Sequence, residues 1–207
     1  GRGFMSARPT TALIMSLEIL HYPHPVLKTK SRPITEISSG LQSIVREMFD
    51  LMYEAHGIGL AANQVGIPYR FFVLNLTADP EETEEEFVFL NPEISSRRGS
   101  EEGEEGCLSL PEIYGQSRRA TEIVVDAYDL DEHPFRLKVD DLAARDIQHE
   151  TDHLDGIMFF ERMTESTRRE LDPRIRDFVS RFEKHQQAGK YPSMAEIEKT
   201  LETWPAP

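Results

Sequence analysis

Two histidines four residues apart, in His149-Glu150-Thr151-Asp152-His153, are the side chains in this sequence best spaced to do chemistry. On a helix, positions i and i+4 share a face, so both imidazoles can reach one metal ion. Glu150, between them, then stands near enough to exchange a proton with a water activated there. The bland alternative is a solvated helix with charges at ordinary spacing. Leu142, Ala143 and Ile147 in the same segment call for burial and argue against it.

A hydrolytic site of this kind needs a third protein ligand and one open position. Glu161, Glu165 and Glu170 follow the histidines and would complete a zinc endopeptidase site with a downstream carboxylate. The competitor is the chain's single cysteine, Cys107, in Glu105-Gly-Cys-Leu-Ser-Leu-Pro111. A lone cysteine is more often a small buried hydrophobe. A place between a glycine and a turn-forming Ser-Leu-Pro, next to acids, is odd for core packing.

A third segment, Gly57-Ile-Gly-Leu-Ala-Ala-Asn-Gln64, has the Gly-x-Gly-x-x-Ala spacing of dinucleotide loops. That fingerprint requires a strand before the glycines and a helix after them. Here a helix precedes and a strand follows, so the nucleotide reading fails on context. The bland alternative is a tight helix-to-strand connection whose glycines only permit backbone turns. Gln64, polar at the end of a small apolar run, points instead to an amide presented to a ligand.

These segments need elements to hold them. Leu41, Ile44, Val45, Met48, Phe49 and Met52 keep the helical period, which predicts a helix over 41–56. Ser39 with Gln42 reads as its capping box and Gly57 as its stop. Residues 57–68 form a glycine-punctuated loop. Strands are expected over 70–76, 87–90 (closed by Asn91-Pro92), 122–128 and 135–139. A helix capped by Asp140 or Asp141 carries both histidines to about Asp155, where Gly156 ends it. Further helices are expected over 166–186, with Pro173 as a kink or break, and after Ser193, whose Glu196 completes a capping box. Strands and helices are segregated, which favours α+β over a doubly wound sheet.

Composition limits the partners. The 207 residues carry 23 Lys and Arg against 37 Asp and Glu, a net charge of −14. That balance argues against a binder that works by neutralising nucleic-acid phosphates. Residues 79–86 hold six acids and 101–105 hold four, and both runs read as solvated loops. No apolar run nears the ~18 residues a membrane span needs. A single cysteine forbids an internal disulfide and fits a reducing compartment. Residues 1–14, with two arginines and no acid, read as a disordered extension or a transit-peptide remnant. Residues 15–165 read as the catalytic domain and 166–207 as a helical C-terminal extension. The expected compartment is the cytoplasm, or an organelle if 1–14 is a transit remnant.

Taken together and in this order, Gly57-Ile-Gly-Leu-Ala-Ala-Asn-Gln64, Glu105-Gly-Cys-Leu-Ser109 and Gln148-His-Glu-Thr-Asp-His153 resemble the three signature motifs of the peptide deformylases. The similarity covers residues 17–164. It implies an α+β fold in which antiparallel β-sheets surround a central metal-binding helix. It also implies removal of the formyl group from the N-formylmethionine of newly made polypeptides, with release of formate. By motif position, Cys107, His149 and His153 would be the metal ligands and Glu150 the general acid/base. Gln64 and the backbone N–H of Leu108 would hold the oxyanion. Gly59 would hydrogen-bond the substrate backbone through its main chain. Ile58 and the outer face of the metal helix would line an apolar pocket for the methionine side chain.

One thiolate and two imidazoles suit iron(II), nickel, cobalt or zinc; the resemblance favours iron(II) (Fe2+), one per chain. The implied partners are N-formylmethionyl nascent chains at the ribosome, with no direct nucleic-acid or membrane binding. Three positions depart from the family pattern. Asn63 stands where proline is usual, a change expected to loosen that loop. Tyr114 stands where many bacterial members have a basic residue, and Asp146 where an apolar residue is common.

Overall fold

The computed structural model describes residues 16–207. The extension expected over residues 1–14 lies outside the described residues. Helix α1 (Ser39–Glu54) starts where the Ser38 hydroxyl accepts the Leu41 N–H, one residue earlier than the expected cap. It buries Leu41, Val45, Met48, Phe49 and Met52, the face its period predicts. The loop that follows is more regular than expected. It holds a short strand, β1 (Gly59–Ala61), and a 3-10 turn at Ala62–Val65.

Six further strands follow: β2 (Phe71–Leu74), β3 (Phe87–Arg98), β4 (Glu101–Cys107), β5 (Leu110–Arg119), β6 (Glu122–Tyr128) and β7 (Pro134–Asp140). Five strands form one antiparallel sheet in the order β1-β2-β3-β6-β7, and β4 pairs with β5 as a separate hairpin. Two expectations are corrected here. Strand β3 does not close at Asn91-Pro92; the register shifts between Leu90 and Glu93, a bulge that accommodates a proline without an N–H to donate. Asn91 is fixed there by side-chain bonds to Ile34 N and O, at 2.7 and 2.8 Å. The acidic run 101–105 is not a solvated loop but most of β4, with Glu102 and Glu104 outward and Glu105 and Cys107 inward.

Helix α2 (Asp141–Leu154) carries the two histidines. Asp140 occupies its N-cap position, although its side chain makes no capping bond. Ala144, Ile147 and Leu154 pack on Phe72, Leu74, Phe89, Ile123 and Val125 of the five-stranded sheet. Fully burying Ile147 or Leu154 contributes roughly 1.5–3 kcal/mol each. The histidine face turns the other way, toward the β4–β5 hairpin. The fold is therefore α+β, with antiparallel sheets on either side of α2.

Helix α3 (Glu165–Gln187) runs through Pro173 without a break, and α4 (Met194–Glu202) has the capping box expected from Ser193 and Glu196. Leu171, Ile175 and Phe178 of α3 share a core with Leu110, Ile113, Phe159 and Cys107. Helix α3 thus packs behind the cysteine-bearing hairpin.

Candidate metal centre

The histidines sit on consecutive turns of α2, with His153 Nε2 lying 3.1 Å from His149 Nε2 and 3.3 Å from Cys107 Sγ. All three residues are buried, and their donor atoms lie within 4.8 Å of one another. A thiolate and two imidazoles converging on one point form a donor set suited to a borderline divalent transition metal. The residues present therefore fit a metal ion. Burial first, then the positive charges of His149 and Arg119, push His153 well below its ordinary pKa and keep it neutral, the form that binds a cation. Burial also disfavours a charge on His149, but hydrogen bonds to Cys107 and Glu105 outweigh it and hold the pKa well up. Holding a cation there would require the His149 ring to give up that proton.

Glu105 is the hub around these donors. His149 Nδ1 lies 2.8 Å from its Oε1, an arrangement that fixes the ring and turns Nε2 toward Cys107. The same carboxylate accepts from Arg119 Nε and Nη2 at 3.0 and 2.8 Å, from Arg145 Nη1 at 2.7 Å, and from the Ser117 hydroxyl. Burial alone would raise its pKa, yet bonds from His149 and Arg119 hold it well below the usual carboxylate range. Arg119 also donates to Asp152 at 2.5 Å, and Arg162 donates to Asp152 twice at 3.0 Å. Sequence reasoning missed this network. The strand alternation of 102–107 ending at Cys107 was the available signal for an inward Glu105.

Glu150 is buried beside the cluster, and its Oε2 has no hydrogen-bond partner among the described residues. Burial, and next the charge of Asp146 one turn earlier, raise its pKa well above the ordinary value. Asp146 is itself pushed up to about 6, chiefly by burial, and its Oδ2 is likewise unpartnered. Both carboxyls close over Gly59, where an added Cβ would touch Asp146 Oδ2 and lie 2.8 Å from Glu150 Oε1. A side chain at residue 59 would therefore push these two carboxyl ends aside.

A cavity of about 640 Å³ opens onto these groups. Ile58, Gly59, Gln64, Cys107, Leu108, His149 and Glu150 all line it, and the fully buried His153 meets Cys107 and His149 just behind its wall, so the structure brings together every site residue expected from the sequence. Gln64 is held by its own turn: its Oε1 accepts from Ala61 N at 2.9 Å, and its Nε2 donates to Ser109 Oγ at 3.1 Å and lies 3.6 Å from Cys107 Sγ. Among the described residues the Leu108 N–H has no main-chain acceptor. The helix face expected to be apolar offers Leu142 to the cavity but also Arg145 and Asp146. The alternative third ligands are engaged or remote. Glu161 accepts from Lys28 Nζ and Met158 N, both at 2.7 Å, Glu165 pairs with Arg169, and Glu170 is exposed.

A buried Cys-His-His set, a carboxyl on the same helix and an open cavity define the class of mononuclear metal hydrolases. The sequence pattern of the polypeptide deformylases matches residues 16–169, and the chain belongs to the peptide deformylase family. It is 43% identical over 192 residues to a peptide deformylase of Rhodopirellula baltica, covering 93% of this chain and 95% of that one. A plant peptide deformylase structure matches with a TM-score of 0.79 at 33% identity, over 93% of this chain and 99% of that chain. The Thermus thermophilus peptide deformylase structure matches with a TM-score of 0.73 at 40% identity, over 81% and 97%. The endopeptidase alternative is not favoured. No helix among the described residues is long and apolar enough to cross a membrane.

Proposed function

We propose that this protein hydrolyses the formyl amide of N-formylmethionyl nascent polypeptides, with Cys107, His149 and His153 holding one divalent metal ion. The observation that carries the reading is the meeting of Cys107 of β4 with His149 and His153 of α2, beside Gln64 and Glu150 at one cavity. Iron(II) is the ion the family resemblance favours, and the donors also suit nickel, cobalt and zinc. When bound, such an ion lowers the pKa of water from 15.7 to about 7 and polarises a carbonyl.

The chain's own groups do the rest. Glu150 takes a proton from the attacking water and returns it to the departing amine nitrogen. Its raised proton affinity suits a group that must do both near neutral pH. Gln64 Nε2 and the Leu108 N–H donate to the formyl oxygen as charge gathers there; losing one such donor reduces turnover on the order of 10²–10³-fold. Strand β1 lies at the edge of its sheet, so Gly59 offers main-chain groups to a peptide laid alongside. Ile58 and Leu142 receive the methionine side chain, and Asp146 gives that pocket a polar wall.

In this reading residues 15–165 are the catalytic domain, 166–207 an extension packed behind it, and the substrate is met where chains emerge from the ribosome, in the cytoplasm or an organelle. The test is formate release from formyl-Met-Ala-Ser, with the metal assayed in the same preparation and acetyl-Met-Ala-Ser as comparison. Formate release without cleavage of internal peptide bonds is expected. Cleavage of internal bonds, with formyl peptides left intact, would overturn the reading.

A further inference from the structure

Asn63 is completely buried in the 3-10 turn that also carries Gln64, at a position where proline is usual in the family its motif resembles. Its Nδ2 donates to the carbonyl oxygen of His153 at 2.5 Å, ninety residues along the chain. That carbonyl already accepts the Gly156 N–H at 3.0 Å, so Asn63 fills its remaining lone pair. The helix end does not need Asn63 for capping. The Oδ1 of the same amide is buried with no partner among the described residues, a desolvation penalty that a proline would avoid. What asparagine adds over proline is the single donor aimed at the His153 backbone.

The neighbouring side chain reaches the opposite way. Gln64 Nε2 bonds Ser109 Oγ in the turn after Cys107, and the Gln64 carbonyl accepts from Leu20 N at 2.7 Å. One turn of backbone thus grips the helix that bears both imidazoles and the hairpin that bears the thiol. We infer that Asn63 is a positioning residue which, through the His153 carbonyl, sets the spacing between Cys107 and the two histidines and aims Gln64 at the same point. The inference rests on the metal-centre reading above. The substitution expected to loosen this loop instead stitches it to the metal helix.

The test uses the full chain loaded with cobalt(II), comparing the parent with Asn63→Ala and Asn63→Pro. The readouts are the visible absorption bands of the ion and thiolate, the rate of cobalt release to a chelator, and kcat separately from KM for formyl-Met-Ala-Ser. Partners outside the ligand set commonly alter metal affinity by 10–100-fold. Both variants are expected to keep the parent circular dichroism, shift the visible bands, release cobalt about tenfold faster, and lose kcat while KM holds. Asn63→Pro guards against an alanine variant that fails to fold. Variants that match the parent in bands and release rate would overturn the positioning role alone. A parent protein that takes up no cobalt would overturn the metal-centre reading, and this inference with it.

Discussion

Replacing Glu105 with alanine should destabilise the protein far more than any other acid in the run 101–105. The side chain is 7% exposed, and its partners Arg119 and Arg145 are 3% and 10% exposed, so water cannot take its place. Arg119 keeps Asp152, and Arg145 keeps main-chain acceptors such as Ser117 O at 3.1 Å. Neither keeps a carboxylate of its own, because Asp152 is already shared with Arg162. Removing one member of a buried pair costs about 3–5 kcal/mol. A domain of this kind is stable by only about 5–15 kcal/mol, so the loss is a large fraction of the whole. The carboxyl is held below its ordinary value of 4.5, so its contribution is full above that pH and is lost as pH falls below it. The assay is urea unfolding at pH 7 for Glu105→Ala, Arg145→Ala and the double variant. The double variant should lose less than the sum, because the second change removes an unpaired cation. A loss below about 1 kcal/mol for Glu105→Ala, the range of surface pairs, would show that the network is solvated and would refute the reasoning.

Three further outcomes follow from the site and its surroundings. Glu150→Gln should retain metal, since the residue is not among the converging donors, and lose about 10²–10⁴ in kcat by steady-state formate release; near-parental turnover would pass the proton to another group. Gly59→Ala should change the urea midpoint little, because the atoms that must shift are the carboxyl ends of the Asp146 and Glu150 side chains, and should lower kcat as Glu150 is displaced. His24 Nδ1 accepts the Val26 N–H, and burial lowers its pKa to about 4 from 6.5. The unfolded chain therefore binds a proton near pH 6.5 and the native one only near 4, so stability falls as pH drops through that window. With partial exposure discounted, the loss is about 1 kcal/mol, and His24→Gln should flatten the midpoint-versus-pH curve there.

The donors were legible because their geometry is local. Two histidines four apart on a helix share a face whatever the rest of the fold does; of Leu142, Ala143 and Ile147, which called for burial, Ile147 is buried while Leu142 is exposed. Cys107 and Gln64 were legible through motif and odd context. Glu105 was not, because four glutamates in five residues hide the alternation of a strand, and the guanidiniums that make its burial tolerable arrive from Arg119 and Arg145, far along the chain. The β4–β5 hairpin was lost for the same reason, since Gly103 and Gly106 read as loop until the pairing with Ser117 and Tyr114 is formed. At Asn91-Pro92 a local rule gave way to a bulge that only the neighbouring strand and Ile34 specify.

The central claim is that Cys107, His149 and His153 together hold the ion that deformylation requires. The direct measurement is metal content per chain alongside formate release from formyl-Met-Ala-Ser, for the parent and for Cys107→Ala, with circular dichroism to establish that both are folded. The account predicts about one ion and rapid formate release for the parent, and a folded Cys107→Ala chain with neither. A folded Cys107→Ala protein that keeps a full ion and parental deformylation would contradict it, because the third ligand would then lie elsewhere.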